Sequence, residues 1–71
     1  MHEGEDNMEY NYIRKTRLEK GMTLTKLAHL ADLSPGYICH LEKGTRKNPS
    51  MKVMTKICIA LNCELTDIFF I

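Results

Sequence analysis

The sequence lacks the features that build sheets, membrane spans and disulfide frameworks. It has no Trp, only two Pro and four Gly among 71 residues, and no alternation of apolar and polar residues long enough for a sheet. No run of 18 apolar residues occurs, which excludes a transmembrane helix. The three cysteines, Cys39, Cys58 and Cys63, are odd in number and form no CxxC pair, so we expect no disulfides and a reducing cytoplasmic location.

Charge is distributed unevenly, although the formal net charge is only +1. Residues 1–9 contain no Lys or Arg and carry four carboxylates, Glu3, Glu5, Asp6 and Glu9. All 10 basic residues and 5 of the 9 acidic ones lie in residues 10–71, which gives that part a formal charge of +5. We expect residues 1–9 to be a flexible acidic N-terminal leader, unlike a signal peptide, and residues 10–71 to be one basic folded domain with an anionic partner.

Apolar residues recur at helical spacing in five segments, which predicts a compact all-α domain. The predicted helices span about 11–20, 24–31, 35–43, 51–61 and 66–70. The predicted N-caps are Thr23, Ser34 and Ser50, and the predicted left-handed ends are Gly21, Gly44 and Asn62. The predicted inward residues are Ile13 with Tyr10, Tyr12 or Leu18, then Leu24, Leu27, Ala28, Ala31, Leu33, Tyr37, Ile38, Leu41, Met51, Met54, Ile57, Cys58, Leu61, Leu65, Ile68 and Phe69.

The second and third helices form the most informative segment, 22–44. They are short, a tight turn joins them, and Pro35 sits at the first position of the third helix, where its missing N–H is harmless. A helix pair of this size is typical of a helix-turn-helix that reads DNA.

The motifs IRKTRLEKGMT, KLAHLADLSPGYICHLEKG, NPS and LNCELTDIF follow one another at a spacing that resembles the Xre/Cro-like (lambda-repressor-like) helix-turn-helix family of bacterial and phage repressors. The resemblance covers about residues 11–70. It implies a five-helix lambda-repressor-like fold with helices 2 and 3 as the helix-turn-helix. It also implies a sequence-specific regulator of transcription that binds double-stranded DNA, a repressor acting as a homodimer on a pseudo-palindromic operator.

The resemblance assigns the exposed start of the third helix to base reading and the elements around it to phosphate contacts. The implied base-reading residues are Ser34, Pro35, Gly36, Tyr37 and His40. The implied phosphate-contacting residues are Thr23, Lys26, Lys43, Thr45, Arg46, Lys47 and Asn48. This sequence departs from the family because Pro35 and Gly36 carry no side-chain donor and Leu24 stands where the family often has Gln. By composition alone, the cationic loop has the alternative role of keeping the surface soluble.

Two further residue sets follow from the same comparison with the family. Arg17 and Glu42 match a structural ion pair that ties the first helix to the third. Ile59, Phe70 and Ile71 are apolar residues expected at the surface, and they form the predicted dimer interface, the alternative being that Phe70 or Ile59 packs onto its own core.

No catalytic set, metal-ligand cluster or phosphate-binding glycine loop can be assembled from these residues. We therefore expect a non-enzyme with no cofactor and no bound metal. A second hypothesis is a protein-interaction module on the same scaffold, such as an antitoxin-like subunit, an antirepressor or an adaptor.

Overall fold

The computed structural model describes residues 10–46 and 48–70, and within them five helices and no strand are present. The helices are α1 (Ile13–Glu19), α2 (Leu24–Ala31), α3 (Pro35–Lys43), α4 (Met51–Leu61) and α5 (Leu65–Ile68). The predicted all-α class and the bounds of α2, α3 and α4 are confirmed. The acidic leader, Lys47 and Ile71 lie outside the described residues.

Each of the three central helices begins at a hydroxyl cap and ends at a left-handed residue. The side-chain oxygens of Thr23, Ser34 and Ser50 accept hydrogen bonds from the backbone N–H three residues ahead, at 3.0, 3.1 and 3.2 Å. These bonds satisfy donors that the first helical turn leaves unpaired. The predicted left-handed ends at Gly44 and Asn62 have φ values of 81° and 58°, and Gly21 after α1 has φ 66°.

One apolar core joins all five helices. Its members are Ile13, Leu27, Ala28, Ala31, Ile38, Leu41, Ile57, Cys58, Leu61, Ile68 and Phe69. Partly buried Leu24, Leu33, Tyr37, Met54 and Leu65 pack around it. The core holds α2 against both α3 and α4, so the position of α3 is set by the buried faces of its neighbours.

The structure corrects four sequence expectations, and two of them are helix bounds. The first helix starts at Ile13, because Asn11 Oδ1 accepts the Ile13 backbone N–H at 3.1 Å and forms a turn ahead of it. The last helix starts at Leu65 and ends at Ile68, because a capping box of Glu64 and Asp67 opens it and Phe69 is extended.

The remaining corrections concern side chains assigned to the core. Met51, expected on the inner face of α4, is 56% exposed because it lies in the first turn of that helix, away from the buried residues of its later turns. Leu18 is half exposed on α1, so it does not support Ile13 in the core.

Candidate nucleic-acid interface

The turn between α2 and α3 presents the N-terminus of α3 at the surface. Asp32 adopts a left-handed conformation (φ 58°), and the Leu33 N–H donates to the Ala28 carbonyl at 2.9 Å, which closes α2. Ser34 then caps α3, and Ser34, Pro35 and Gly36 are all exposed. The structure therefore has the two helices and tight turn of a helix-turn-helix, with the start of its second helix open to a ligand.

The five predicted base-reading residues are not equivalent in the structure. The Ser34 hydroxyl oxygen accepts the Tyr37 N–H at 3.1 Å, so this side chain caps α3. Pro35 and Gly36 offer only apolar contact and close backbone approach. His40 is exposed one turn farther along, and Tyr37 is half-buried. His40 is thus an exposed polar side chain that is placed to contact base edges.

The loop after α3 folds back onto the end of that helix. The backbone N–H groups of Thr45 and Arg46 both donate to the His40 carbonyl, at 2.9 and 3.2 Å. The predicted phosphate-contacting side chains of Lys43, Thr45, Arg46 and Asn48 are exposed here. The structure thus places a cationic loop directly beside the helix that carries the predicted base readers.

Arg46 and Tyr37 form a contact that sequence reasoning did not find. The Arg46 guanidinium lies over the Tyr37 ring, with Cζ 5.3 Å from the ring centroid. Such cation–π contacts contribute about 0.5–1 kcal/mol at exposed sites. The two residues are nine positions apart, so no helical spacing indicates the pair; it exists because the loop turns back over α3.

Thr23 and Lys26 lie on a separate element, the N-terminus of α2. Thr23 Oγ1 accepts the Lys26 N–H at 3.0 Å, which leaves the hydroxyl proton available to an external acceptor. Both residues are exposed, and Leu24 between them is partly buried in the core. Leu24, which stands where the family often has Gln, therefore packs against the core.

Arg17 and Glu42 join α1 to the end of α3 through a two-pronged ion pair. Arg17 Nε and Nη2 donate to the two Glu42 carboxylate oxygens at 2.8 and 3.1 Å, and Nη1 donates to the Met22 carbonyl at 3.0 Å. The two side chains are only 10% and 6% exposed. Glu42 raises the pKa of Arg17 further above its ordinary high value, chiefly by accepting these hydrogen bonds, so the guanidinium stays charged. This buried pair therefore ties α1 to the end of α3.

The first described residues, Tyr10 and Asn11, lie beside the C-terminal end of α3. Asn11 Nδ2 donates to the Leu41 carbonyl at 2.9 Å, an oxygen in the last turn of α3 that also accepts the Gly44 N–H at 3.2 Å. The Tyr10 ring packs against the Cα of Gly44, where a side chain would clash with it. Residues 10 and 11 therefore lie next to the cationic loop.

Apolar side chains remain exposed on the C-terminal helices. Ile59 of α4 is 75% exposed, and Phe70 after α5 is 57% exposed. Phe70 makes an edge-to-face contact with Tyr12, with ring centroids 5.1 Å apart, and Lys15 Nζ lies 5.4 Å from the Tyr12 centroid. Phe70 thus packs on its own chain along one edge and still presents most of its surface, while Ile59 is almost fully open.

The cysteines and histidines supply no second site among the described residues. All three cysteines are free, with Cys58 buried and Cys39 and Cys63 half-buried. In residues 10–46 and 48–70, no group of three His, Cys, Asp or Glu side chains is placed to hold a metal ion. None of the helices in those ranges has the length and apolarity that a membrane crossing requires.

Comparison with known proteins gives consistent matches. A family model described as Helix-turn-helix matches residues 13–68. The chain is 35% identical over 57 residues to the HTH-type transcriptional regulator SlrR of Bacillus subtilis, a match that covers 80% of this chain and 38% of SlrR. It is 41% identical over 63 residues to the uncharacterized HTH-type transcriptional regulator YqaF of the same species, covering 89% of this chain and 80% of YqaF.

The crystal structure of the clp gene regulator ClgR from Corynebacterium glutamicum has the same fold. It superposes with a TM-score of 0.71 at 40% identity, covering 78% of this chain and 70% of that chain. The match to SlrR spans well under half of that protein, so the likeness to SlrR concerns one part of it.

Proposed function

The chain belongs to the helix-turn-helix family, and on that premise we propose that it regulates transcription by binding double-stranded DNA. The observation that carries the proposal is the juxtaposition of the exposed start of α3 with the cationic loop that folds back onto its end. A major groove admits one α-helix, and phosphates flank the groove on both sides. A helix with cations at its end and hydroxyl and amide groups nearby fits that geometry.

In this proposal the loop supplies affinity and α3 supplies sequence preference. Lys43, Thr45, Arg46 and Asn48, with Lys47 between them in the sequence, contact phosphates on one side of α3. Thr23 and Lys26 contact phosphates through the N-terminus of α2, where free backbone N–H groups favour an anion. His40 reads base edges, Ser34, Pro35 and Gly36 approach the bases closely, and Tyr37 positions Arg46 as well as facing the groove.

The two roles are separable by mutation. Arg46→Gln removes one cation from the loop, so we expect weaker binding to every duplex and a salt slope shallower by about one. Lys20→Gln removes the same charge at the end of α1 and serves as the matched control, with an unchanged slope. His40→Ala is expected to change the relative affinities for different sequences. An even loss on all sequences for His40→Ala would contradict its role as a reader.

We further propose that the regulator is a homodimer on a pseudo-palindromic operator and acts as a repressor. The support for the dimer is the exposure of Ile59 and Phe70, with Ile71 next to Phe70 in the sequence, because exposed large apolar side chains favour association. A two-fold dimer places its two reading helices about 34 Å apart, one helical turn of DNA. Repression follows from occupancy alone, since a protein bound at an operator blocks access for others.

Light scattering tests the dimer directly. The 71-residue chain is expected to have twice its monomer mass of 8.2 kDa. Ile59→Lys is expected to give a folded monomer, whereas Leu18→Lys, which adds the same charge at another exposed apolar position, leaves the dimer intact. Transcription in vitro from a promoter carrying the selected operator then tests repression, and an increase in transcript would contradict it.

A second candidate function rests on the start of α3. Pro35 and Gly36 have no side-chain donors and the Ser34 oxygen is already engaged in capping, which is a thin set for base recognition. The same scaffold with its exposed Ile59 and Phe70 suits a protein-interaction module, such as an antitoxin-like subunit, an antirepressor or an adaptor. A monomer that shows no sequence preference in DNA binding would favour this function.

A further inference from the structure

Two of the three cysteines lie on either side of the turn that ends α4. Asn62 adopts a left-handed conformation (φ 58°), the Cys63 N–H donates to the Cys58 carbonyl at 3.0 Å, and the Asn62 N–H donates to the Ile59 carbonyl at 3.1 Å. These bonds form a Schellman motif, in which the side chains that flank the turn frequently meet. Cys58 and Cys63 occupy those two flanking positions.

The backbone bond places the two cysteines within the span of a disulfide. Standard covalent dimensions on each side of a 3.0 Å N–H···O bond keep the Cys58 and Cys63 Cα atoms less than about 7 Å apart. Disulfides usually join Cα atoms that are about 4.4–6.8 Å apart. The Cys58 thiol also points across the turn, because its Sγ donates to the carbonyl of Glu64, the residue after Cys63, at 3.8 Å.

Neither thiol is held firmly by its present partner. Cys63 Sγ donates to the Leu61 carbonyl at 3.4 Å, and the bond from Cys58 Sγ is longer still. Thiols are weak hydrogen-bond donors, so both bonds are readily exchanged for a covalent one.

The two thiols differ in their access to solvent. Cys63 is half-buried and lines an open cleft of about 650 Å³ that Tyr12, Lys15 and Asp67 also line. Cys58 is only 5% exposed, and burial, with a smaller contribution from Cys63, raises the pKa of its thiol. A small oxidant that enters the cleft therefore meets Cys63 first, while Cys58 remains protonated.

From this geometry we propose that Cys58 and Cys63 form a site of reversible oxidation, at which hydrogen peroxide joins the two thiols in a disulfide. The deprotonated Cys63 sulfur attacks one peroxide oxygen and the O–O bond breaks, which leaves a sulfenic acid on Cys63 and releases one water. The Cys58 sulfur then gives up its proton and attacks the Cys63 sulfur. The S–S bond forms, the S–O bond breaks and a second water leaves. Two thiols are thereby oxidised, and one peroxide is reduced to two waters.

The oxidation site is separate from the proposed DNA contacts. It lies at the C-terminal end of α4, where the disulfide closes a ring over residues 58–63, and that ring includes the exposed Ile59. No residue of α3 or of the cationic loop takes part. All three thiols are free in the structure, so the bridge forms only on oxidation. The reaction needs no DNA, and its test is independent of the proposed function.

Mass spectrometry of the peroxide-treated 71-residue chain tests the bridge. Trypsin leaves Cys58 and Cys63 in one peptide, residues 57–71, and Cys39 in another, residues 27–43. After brief treatment with peroxide and alkylation of the remaining thiols in urea, peptide 57–71 is expected to be unalkylated and about 2 Da lighter than its dithiol form. Dithiothreitol should restore both thiols, and Cys39 should be alkylated throughout. Alkylation of both cysteines in peptide 57–71, addition of oxygen to it, or a bridge to Cys39 would overturn the proposal.

Two variants provide matched controls. Cys39→Ser is expected to give the same lighter peptide as the original chain. Cys63→Ser keeps a small polar group at the half-buried position, and it is expected to leave Cys58 as a thiol that can be alkylated. A lighter peptide in Cys63→Ser, or its loss in Cys39→Ser, would contradict the pairing.

Equilibration with glutathione tests whether the fold builds this site. The turn predicts a larger equilibrium constant for oxidation of the pair in the folded chain than in the same chain unfolded in urea, because the native backbone already holds the two sulfurs within reach. An equal or smaller constant in the folded chain would mean that closeness in sequence alone allows the bridge, which would overturn the proposal of a site built by the fold.

Discussion

Replacing Glu42 by Gln is expected to remove a large fraction of the stability of this domain. The substitution keeps the shape of the side chain but leaves the Arg17 guanidinium buried without its counter-charge, while Nη1 still donates to Met22 O. Breaking a buried pair by removing one partner costs about 3–5 kcal/mol. A 71-residue domain has a total stability of about 4–10 kcal/mol, so the loss is a large fraction of the whole.

Urea unfolding followed by far-UV circular dichroism measures this loss. If the variant is partly unfolded in buffer, an osmolyte that favours the compact state restores a measurable baseline. Glu19→Gln, which removes an exposed carboxylate from α1, is the control and is expected to change stability by less than about 0.5 kcal/mol. A loss below about 1 kcal/mol for Glu42→Gln would refute the reasoning, because the pair would then behave like an exposed one.

A double variant tests whether the cost comes from the stranded charge. Replacing both partners, as Arg17→Met with Glu42→Leu, removes the charge and keeps apolar volume, and such replacements are often neutral or stabilising. The Met22 carbonyl loses one donor in this variant, which costs about 1 kcal/mol. We therefore expect the double variant to be more stable than Glu42→Gln. Equal or lower stability would show that the loss in Glu42→Gln comes mainly from packing or geometry at the site and not from the unpaired buried charge.

Three other outcomes follow from the structure. Gly44→Ala is expected to destabilise the domain by more than 1 kcal/mol in the same urea assay, because φ is 81° there and the new methyl meets the Tyr10 ring. Ser34→Ala is expected to cost about 0.5–2 kcal/mol through loss of the α3 cap, which Ser34→Asp restores. Burial, with a smaller contribution from Cys63, raises the pKa of Cys58, so the folded state holds that proton more tightly than the unfolded state. Stability should then fall as pH rises above the ordinary thiol pKa of about 8.5, and Cys58→Ala should remove that part of the fall.

The central helices were predictable because their boundaries are encoded locally. Ser34 followed by Pro35 at the head of α3, and Gly44 at its end, specify that helix within ten residues, and the structure has the same limits. The sequence predicts the start of the fifth helix one residue late, because its cap, Glu64, is not among the residues that usually begin a helix. The bond from the Glu64 N–H to Asp67 Oδ2 completes this cap.

The details of the candidate interface depend on packing between elements that are distant in sequence. Arg17 and Glu42 were paired from the family likeness, and the structure brings them into contact. The sequence does not indicate that Arg46 lies over Tyr37 or that Tyr10 packs on Gly44. A long or aromatic side chain outside a helix can adopt many rotamers, and only the folded backbone selects one. The first contact places Arg46 beside the first turn of α3, and the second places Tyr10 beside its end.

Selection of bound duplexes from a random pool, with the 71-residue chain near physiological salt, tests the central proposal most directly. The proposal of a dimeric DNA-reading regulator predicts enrichment of an inverted repeat whose half-sites are about 10 base pairs apart. The same selection with His40→Ala should alter bases within each half-site and keep the spacing. A pool that stays random, although binding is detectable at low salt, would contradict sequence-specific regulation by this chain.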